Sequence, residues 1–344
     1  MTIFKALSIT ERRQKTPLTL LDFDEPELGN GEFLVENVAA AQNPIDWKQI
    51  DYDIGIPSLP WTNGGDIAGR VYKIGPGVTG FGVGDRVISY LSRKTARHGA
   101  YQTHTIAETH RTVKLPESYT FEEGSTIPLA YTTAGSGLIH ALNVSLPSPN
   151  SSLRLNPRGQ PLLVWGGSSS VGSYVVQLAT LAGYEVITTA SKSNHEYVKS
   201  LGAKHVFDYH DSNVVDQIRK VSGDSLSLAY DTISTTQTAK QCISSITSPT
   251  GGTVASLDPT LDPTLGTPTI KITQTGGGKA FEYPEIGKAV FGLLNTLLER
   301  RVLDPNPVQV LEGGLRAVDE GFELGRQGKV SAEKLVYRIT DTKF

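Results

Sequence analysis

The chain has 344 residues, 38% hydrophobic and 19% charged, with a formal net charge of -3. This composition supports a globular protein of about two domains; with no basic excess, a nucleic-acid backbone is not an expected partner. A single cysteine, Cys242, excludes disulfide frameworks and cysteine-rich zinc lobes by arithmetic.

The opening MTIFKALSITERRQ lacks the apolar core of a secretory signal. No later stretch approaches the roughly 20 apolar residues of a membrane span. The expectation is an intracellular, cytoplasmic protein with no membrane partner.

Short β-like runs come first: FLVENVAA (33–40), AGRVYKIG (68–75) and DRVISYL (85–91), separated by Gly and Pro. They predict an irregular, mostly β domain. The polar, Pro-rich SLPSPNSSLRLNPRGQP (145–161) reads as a surface loop or linker. From Leu162 apolar runs alternate with helical periods: LLVW then SYVVQLATLAG, EVITTA then HEYVKSLGA, HVFDY then NVVDQIRKV, SLAYDTI then TTAKQCISSI, and finally GTVASL. That alternation predicts a doubly wound α/β domain with a parallel sheet. TLDPTLGTPTIKITQTGGGKAFEYPEI (260–286) reads as a turn-rich insertion. GGLRAVDEGFELGRQG (313–328) is helix-like, and EKLVYRI (333–339) is a last strand expected to return to the first domain.

Within LLVWGGSSSVGSYVVQLA (162–179), Gly167, Ser169 and Gly172 fill the positions of G-x-G-x-x-G between a strand and a helix, with serine in the middle. Small residues here, from Gly167 through Ser168, Ser169, Ser170 and Val171 to Gly172, let backbone amides and a helix N-terminus approach a pyrophosphate. An NAD site would carry a carboxylate at the end of the next strand to hold the ribose hydroxyls. Here Ala190, Ser191 and Lys192 stand there instead, a hydroxyl and an ammonium suited to a 2′-phosphate, which favours NADPH. Tyr209, after the third strand, is placed to lie beside that phosphate or the adenine, or to cap the strand end.

Beyond these motifs the sequence resembles the medium-chain dehydrogenase/reductase superfamily, in its zinc-free branch of quinone reductases and fungal trans-acting enoyl reductases. The resemblance is carried by QNPIDWKQ (42–49), GGDIAGRVYKIGPGV (64–78), FGVGDRV (81–87), the glycine loop, SLGAKHVFDYHD (200–211) and GKVSAEKLVYRI (328–339). It implies an α/β chain with a GroES-like, mostly β catalytic domain from residues 1–128 and 302–344. A Rossmann doubly wound parallel-sheet domain, 129–301, is inserted between, with the active site in the cleft. Zinc-dependent members carry a cysteine near Asn43 or Pro44 and a His-Glu pair where Gly65 and Asp66 stand; neither is met here. Without a Lewis acid, hydride transfer to the β-carbon of an α,β-unsaturated carbonyl suits such a site better than alcohol chemistry.

By the same resemblance, Lys192 and Tyr209 match the residues holding the 2′-phosphate, though slightly further apart. Thr133 matches a threonine near the nicotinamide, and Ser256 and Leu257 lie in the loop along its carboxamide. Lys48 matches a lysine reaching the nicotinamide ribose or the active site. Tyr52 falls near a tyrosine that acts as proton donor in mitochondrial-type enoyl reductases. Tyr52 as acid and Lys48 as stabiliser of oxyanion charge are therefore the catalytic candidates. Solvent water is the alternative proton source.

Asp46 is expected to hold local backbone, Asp66 to orient that turn or Lys48, His98 to border the cleft, and Trp61 to be a packing residue or a pocket wall. The implied substrate is a small-molecule or carrier-bound enoyl compound. The alternatives are a quinone or enone reductase of broad specificity, or an NADPH-binding protein without turnover. Prolines around the late insertion favour a monomer over a dimer.

Overall fold

The computed structural model describes residues 4–149 and 152–344. Residues 150 and 151, inside the predicted 145–161 linker, lie outside the described residues. Two compact units are present, Met1–Leu129 with Pro305–Phe344, and Ala130–Asp304.

The first unit is built on antiparallel strands: β1 (Phe4–Ile9), β2 (Thr19–Phe23), β3 (Glu32–Ala41), β4 (Trp61–Thr62), β5 (Asp66–Ile74), β6 (Arg86–Tyr90), β7 (His104–Glu108) and β8 (Thr112–Lys114). Strands β2, β1 and β4 form a three-stranded sheet. β3 organises the other sheet. One of its edges carries β5, with register irregularities at Leu34/Val35 and Asn37/Ala39. Its opposite edge takes β7 along Glu32–Glu36. At the change of partner sits buried Asn37, whose Nδ2 donates to Gln102 O at 2.7 Å and to Thr105 Oγ1 at 2.6 Å. A register irregularity of this kind bends a strand and re-aims its side chains where the ladder is locally disrupted.

Helix α1 (Pro44–Tyr52) follows β3, opened by Pro44 and ended by Asp53 in the left-handed region (φ 54°). The short helix α2 (Phe121–Ser125) is capped by Thr120, which accepts from Glu123 N. Helix α3 (Pro128–Ser136) leads into the second unit and loosens into a π turn, Gly137–Ala141. The cause is local: Tyr230 Oη donates to Thr133 O at 2.8 Å, and a Cβ on Gly137 would lie 2.1 Å from that same oxygen.

The second unit is a parallel sheet of β9 (Pro161–Trp165), β10 (Glu185–Thr189), β11 (His205–Phe207), β12 (Leu228–Asp231), β13 (Gly252–Ser256) and β14 (Ile270–Gln274). Their spatial order is β11-β10-β9-β12-β13-β14, all parallel, so the strand order runs outward in opposite directions from the neighbouring pair β9 and β12. Helices α4 (Ser170–Leu181), α5 (His195–Ser200), α6 (Val214–Ser222) and α7 (Thr236–Ser245) connect the strands. Helices α8 (Lys279–Glu282) and α9 (Pro284–Glu299) follow the last strand. The strand-helix alternation is thus as expected. The supposed turn-rich insertion, however, contains β14, a full parallel strand: Ile270, Lys271, Ile272, Thr273 and Gln274 pair residue for residue with β13. Threonines and prolines on either side hid its β-branched core from a pattern reading.

The chain then returns to the first unit as β15 (Val308–Val310), α10 (Val318–Arg326) and β16 (Lys334–Arg338). β16 pairs antiparallel with Ala39–Ala41 of β3, as expected for the EKLVYRI run. The core of this unit gathers residues from both chain ends, including Phe33, Val35, Trp61, Ile67, Tyr101, Phe322 and Tyr337. Tyr101 meets Phe322 and Tyr337 edge-on, each at 5.7 Å between centroids. Such pairs add roughly 0.5–1.5 kcal/mol beyond area burial.

Lys334 begins β16 and Asp66 begins β5, and their side chains form an ion pair of 2.8 Å, with 2% and 0% exposed. Lys334 Nζ also donates to Thr126 O at 3.2 Å. Asp66 in turn accepts from Leu129 N at 2.7 Å and Asn43 Nδ2 at 2.8 Å. Removing one partner of such a pair strands a buried charge, which typically costs about 3–5 kcal/mol. Lys334→Met is therefore expected to lower stability by about that amount in urea unfolding, and Asp66→Asn with Lys334→Met by clearly less.

Candidate cofactor and active site

Strand β9 is buried along its whole length and ends at the point where the strand order of the sheet switches. Gly166 makes the turn out of it with φ +82°, a conformation that disfavours side chains. The loop is pinned from β10: Gly166 N donates to Thr189 Oγ1 at 3.0 Å and Gly167 N to Thr189 O at 2.9 Å. Ser169 has negative φ (-69°) and caps α4, its Oγ accepting from Gly172 N at 3.0 Å. Its hydroxyl also meets Thr232 Oγ1 at 2.8 Å, bridging the ends of β9 and β12.

Serine in the middle of the motif therefore has a local cause. The position does not require glycine's conformation, and the hydroxyl replaces a missing helix-end partner. Gly172 does require glycine, because a Cβ there would lie 2.2 Å from Gly166 O. Gly167, Ser168, Ser169, Ser170, Val171 and Gly172 line the N-terminus of a twelve-residue helix, whose first N–H groups have no intrahelical acceptor. Such a cradle fits a pyrophosphate.

Parallel pairing of β10 with β11, ending in Thr189 beside Phe207, brings the residues after both strands to one end of the sheet. Ala190 is buried, and Ala190 N extends the ladder to Phe207 O at 3.0 Å. Ser191 and exposed Lys192 follow on one side, Asp208 and half-exposed Tyr209 on the other. Asp208 is the residue a pattern reading passed over. The His210 backbone N–H, then the His210 ring and Lys192, hold its carboxyl below the ordinary range against the opposing effect of partial burial.

Elsewhere in this unit, Thr133 is buried on α3, its carbonyl taken by Tyr230. Ser256 is buried at the end of β13, and Leu257 N donates to Ser234 Oγ at 2.7 Å. The strand-end residues Thr189 and Thr232 were also missed. Their signal was a small hydroxylic residue at the close of an apolar run.

In the first unit, α1 is tied down along its length. Asp46 Oδ2 accepts from Asn43 N and Tyr101 Oη, both at 2.8 Å. Gln49 Oε1 accepts from Arg93 at 3.3 Å, and Asp51 receives two bonds of 2.9 Å from Arg326. Lys48 and Tyr52 lie one turn apart, hence on one helix face. Both are exposed, Tyr52 at 61%, with Lys48 Nζ 5.6 Å from the centroid of Trp47.

Asp46 has the structural role expected of it. Asp66 orients the turn through Asn43 Nδ2, and its other partners are Lys334 and Leu129 rather than Lys48. Trp61 is fully buried and is a packing residue. His98 is 4% exposed, its ring between Thr95 Oγ1 at 2.9 Å and Glu32 Oε1 at 3.4 Å. It is a buried structural histidine, because its short 3-10 turn packs the ring inward. Among the described residues, no group of three or more His, Cys, Asp or Glu side chains is placed to hold a metal ion.

The model of the alcohol dehydrogenase GroES-like domain matches residues 29–117, and that of the zinc-binding dehydrogenase matches residues 170–257. A protein of Fusarium heterosporum named trans-enoyl reductase eqxC is 33% identical over 336 residues, 91% of this chain and 93% of that one. Dehydrogenase pigH of Monascus ruber is 45% identical over 193 residues, 54% of this chain, and the match spans about half of that protein's length (52%). The crystal structure of CurK enoyl reductase superposes with a TM-score of 0.80 at 21% identity, covering 97% of this chain and 98% of that one. At that identity the likeness is one of fold.

Asp46 supplies a test of the first unit's buried polar network. Burial, only partly offset by the bonds from Asn43 and Tyr101, raises its pKa to about 6, and its Oδ1 has no partner among the described residues. A carboxyl whose folded pKa exceeds its unfolded value of 3.8 favours the fold below that value, and the contribution is lost as pH rises through about 6. Relative to Asp46→Asn, the wild type is expected to lose about 2–3 kcal/mol between pH 4 and pH 7. Urea midpoints measured across that window check it.

Proposed function

The chain belongs to the medium-chain dehydrogenase/reductase superfamily, in the company of the fungal trans-enoyl reductases, and from that premise we propose an NADPH-dependent, zinc-independent enoyl reductase. Its substrate would be a free or carrier-bound α,β-unsaturated acyl compound of a secondary-metabolite route, and it would work in the cytoplasm. The observation that carries zinc independence is the buried pair at Asp66. A carboxylate at a position that the family's metal chemistry uses is here committed to Lys334, Asn43 and Leu129. The full-length relative named a trans-enoyl reductase supports the enoyl reductase reading.

The loop from Gly167 to Gly172 fits the pyrophosphate of a nicotinamide dinucleotide, with Thr133, Ser256 and Leu257 assigned to its nicotinamide end. Ser191, Lys192 and Tyr209 are assigned to a 2′-phosphate; Lys192 supplies the cation and the other two supply hydroxyls. When bound, the reduced cofactor supplies a hydride. The chain's own residues must then stabilise negative charge on the substrate's carbonyl oxygen and deliver a proton to the α-carbon.

Lys48 is assigned the first task, as an exposed ammonium on a helix whose other polar side chains are tied down. Tyr52, one turn further along the same face, is assigned the second through its phenolic O–H. A monomer is the proposed state, with exposed Lys271 on edge strand β14 discouraging strand addition. The prolines at 259, 263 and 268 flank that strand rather than interrupt it.

Oxidation of NADPH is expected with an enoyl thioester and weaker oxidation with a quinone; the reverse preference would favour the quinone reductase reading. Tyr52→Phe is expected to lower kcat by about 10²-fold with little change in KM. Lys48→Ala is expected to lower kcat/KM by a similar factor. If neither variant changes turnover, solvent supplies the proton and both assignments fall.

A further inference from the structure

The end of β11 places a carboxylate beside the residues assigned to the 2′-phosphate. Asp208 follows Phe207, whose backbone continues the ladder to Ala190, and the Lys192 charge is felt at the Asp208 carboxyl. An uncommitted carboxylate there would repel a phosphate dianion and compete for the lysine that should bind it. It is not uncommitted. Asp208 Oδ1 accepts from His210 N at 3.0 Å and from the His210 ring at Nδ1 at 2.7 Å. Because a carboxylate only accepts, Nδ1 carries the proton.

The Asp208 side chain is 11% exposed, whereas that of His210 is 65% exposed, so the ring lies over the carboxylate on its solvent side. The same ring packs on Tyr209, 4.1 Å between centroids at 35°. The other nearby acid, Asp211, faces elsewhere, accepting from Gln217 Nε2 at 3.4 Å.

We propose that His210 sets the preference for a 2′-phosphorylated cofactor, by engaging Asp208 and leaving Lys192 to the phosphate. This rests on the assignment of Ser191, Lys192 and Tyr209 to NADPH. His210 is a positioning residue that acts through Asp208. Without its ring, Asp208 keeps only a backbone donor and turns to Lys192, whose charge already acts on it. The phosphate then loses its counter-charge and gains a repulsive neighbour.

Fluorescence titration of the full chain with NADPH and with NADH measures the ratio of their Kd values without requiring turnover. The wild type is expected to favour NADPH. His210→Ala is expected to reduce that preference on the order of tenfold. Adding Asp208→Asn should restore it to the wild-type ratio or beyond. His210 is exposed, so these variants are expected to fold. An unchanged ratio in His210→Ala overturns the inference while leaving the NADPH assignment standing. A reduced ratio that Asp208→Asn does not restore also overturns it, because His210 would then act on the phosphate directly. A wild type that binds both cofactors equally overturns the NADPH assignment, and the inference with it.

Discussion

The first unit is arranged around one buried ion pair. Lys334 and Asp66 stand 268 residues apart in sequence and 2.8 Å apart in space, both out of water. Two desolvated charges are tolerable only when their remaining hydrogen-bonding capacity is filled, and that requirement recruits the surroundings. Thr126 O takes the ammonium, Leu129 N fixes one carboxylate oxygen, and Asn43 Nδ2 takes a share of the other. Asn43 caps α1, so the pair also sets where that helix begins, and with it the face bearing Lys48 and Tyr52.

The second unit solves a different problem, that of holding a tight backbone turn at the head of a helix. The strand order switches between the parallel neighbours β9 and β12, and residues at their ends are small or hydroxylic because side chains and carbonyls already crowd the space. Thr189 holds the glycine turn from one neighbouring strand, and Thr232 holds Ser169 from the other. The cradle is rigid through these cross-links rather than through the helix alone. One strand further out, Lys192 and Asp208 carry opposite charges and His210 is bonded to the acid.

Much of this was legible in the sequence, for identifiable reasons. A parallel sheet covered on both faces demands apolar runs, so β9 to β13 could be read from LLVW, EVITT, HVF, LAYD and GTVAS. The glycine loop was legible because close backbone approach leaves few alternatives, although the residue with left-handed backbone proved to be Gly166, one position earlier. Strand β14 was not, because a five-residue edge strand between Thr- and Pro-rich turns carries too little periodicity. Nor was the burial of His98, since exposure depends on partners that the local sequence does not name. The partner of Asp66 was the least legible feature: nothing near position 66 indicates that its counter-ion begins the last strand.

The shared edge of β3 has a consequence for how the molecule is made. Its first half is completed by β7, seventy residues or so downstream, but its second half stays open until β16 arrives. A ribosome delivering the chain from its N-terminus therefore finishes the entire Ala130–Asp304 unit before the strand that closes the first one exists. During that interval the edge at Ala39–Ala41 is unpaired and the Asp66 carboxylate lacks its ammonium. In vectorial synthesis the inserted unit is the one able to fold on emergence, and the outer unit must remain receptive until its own tail is released.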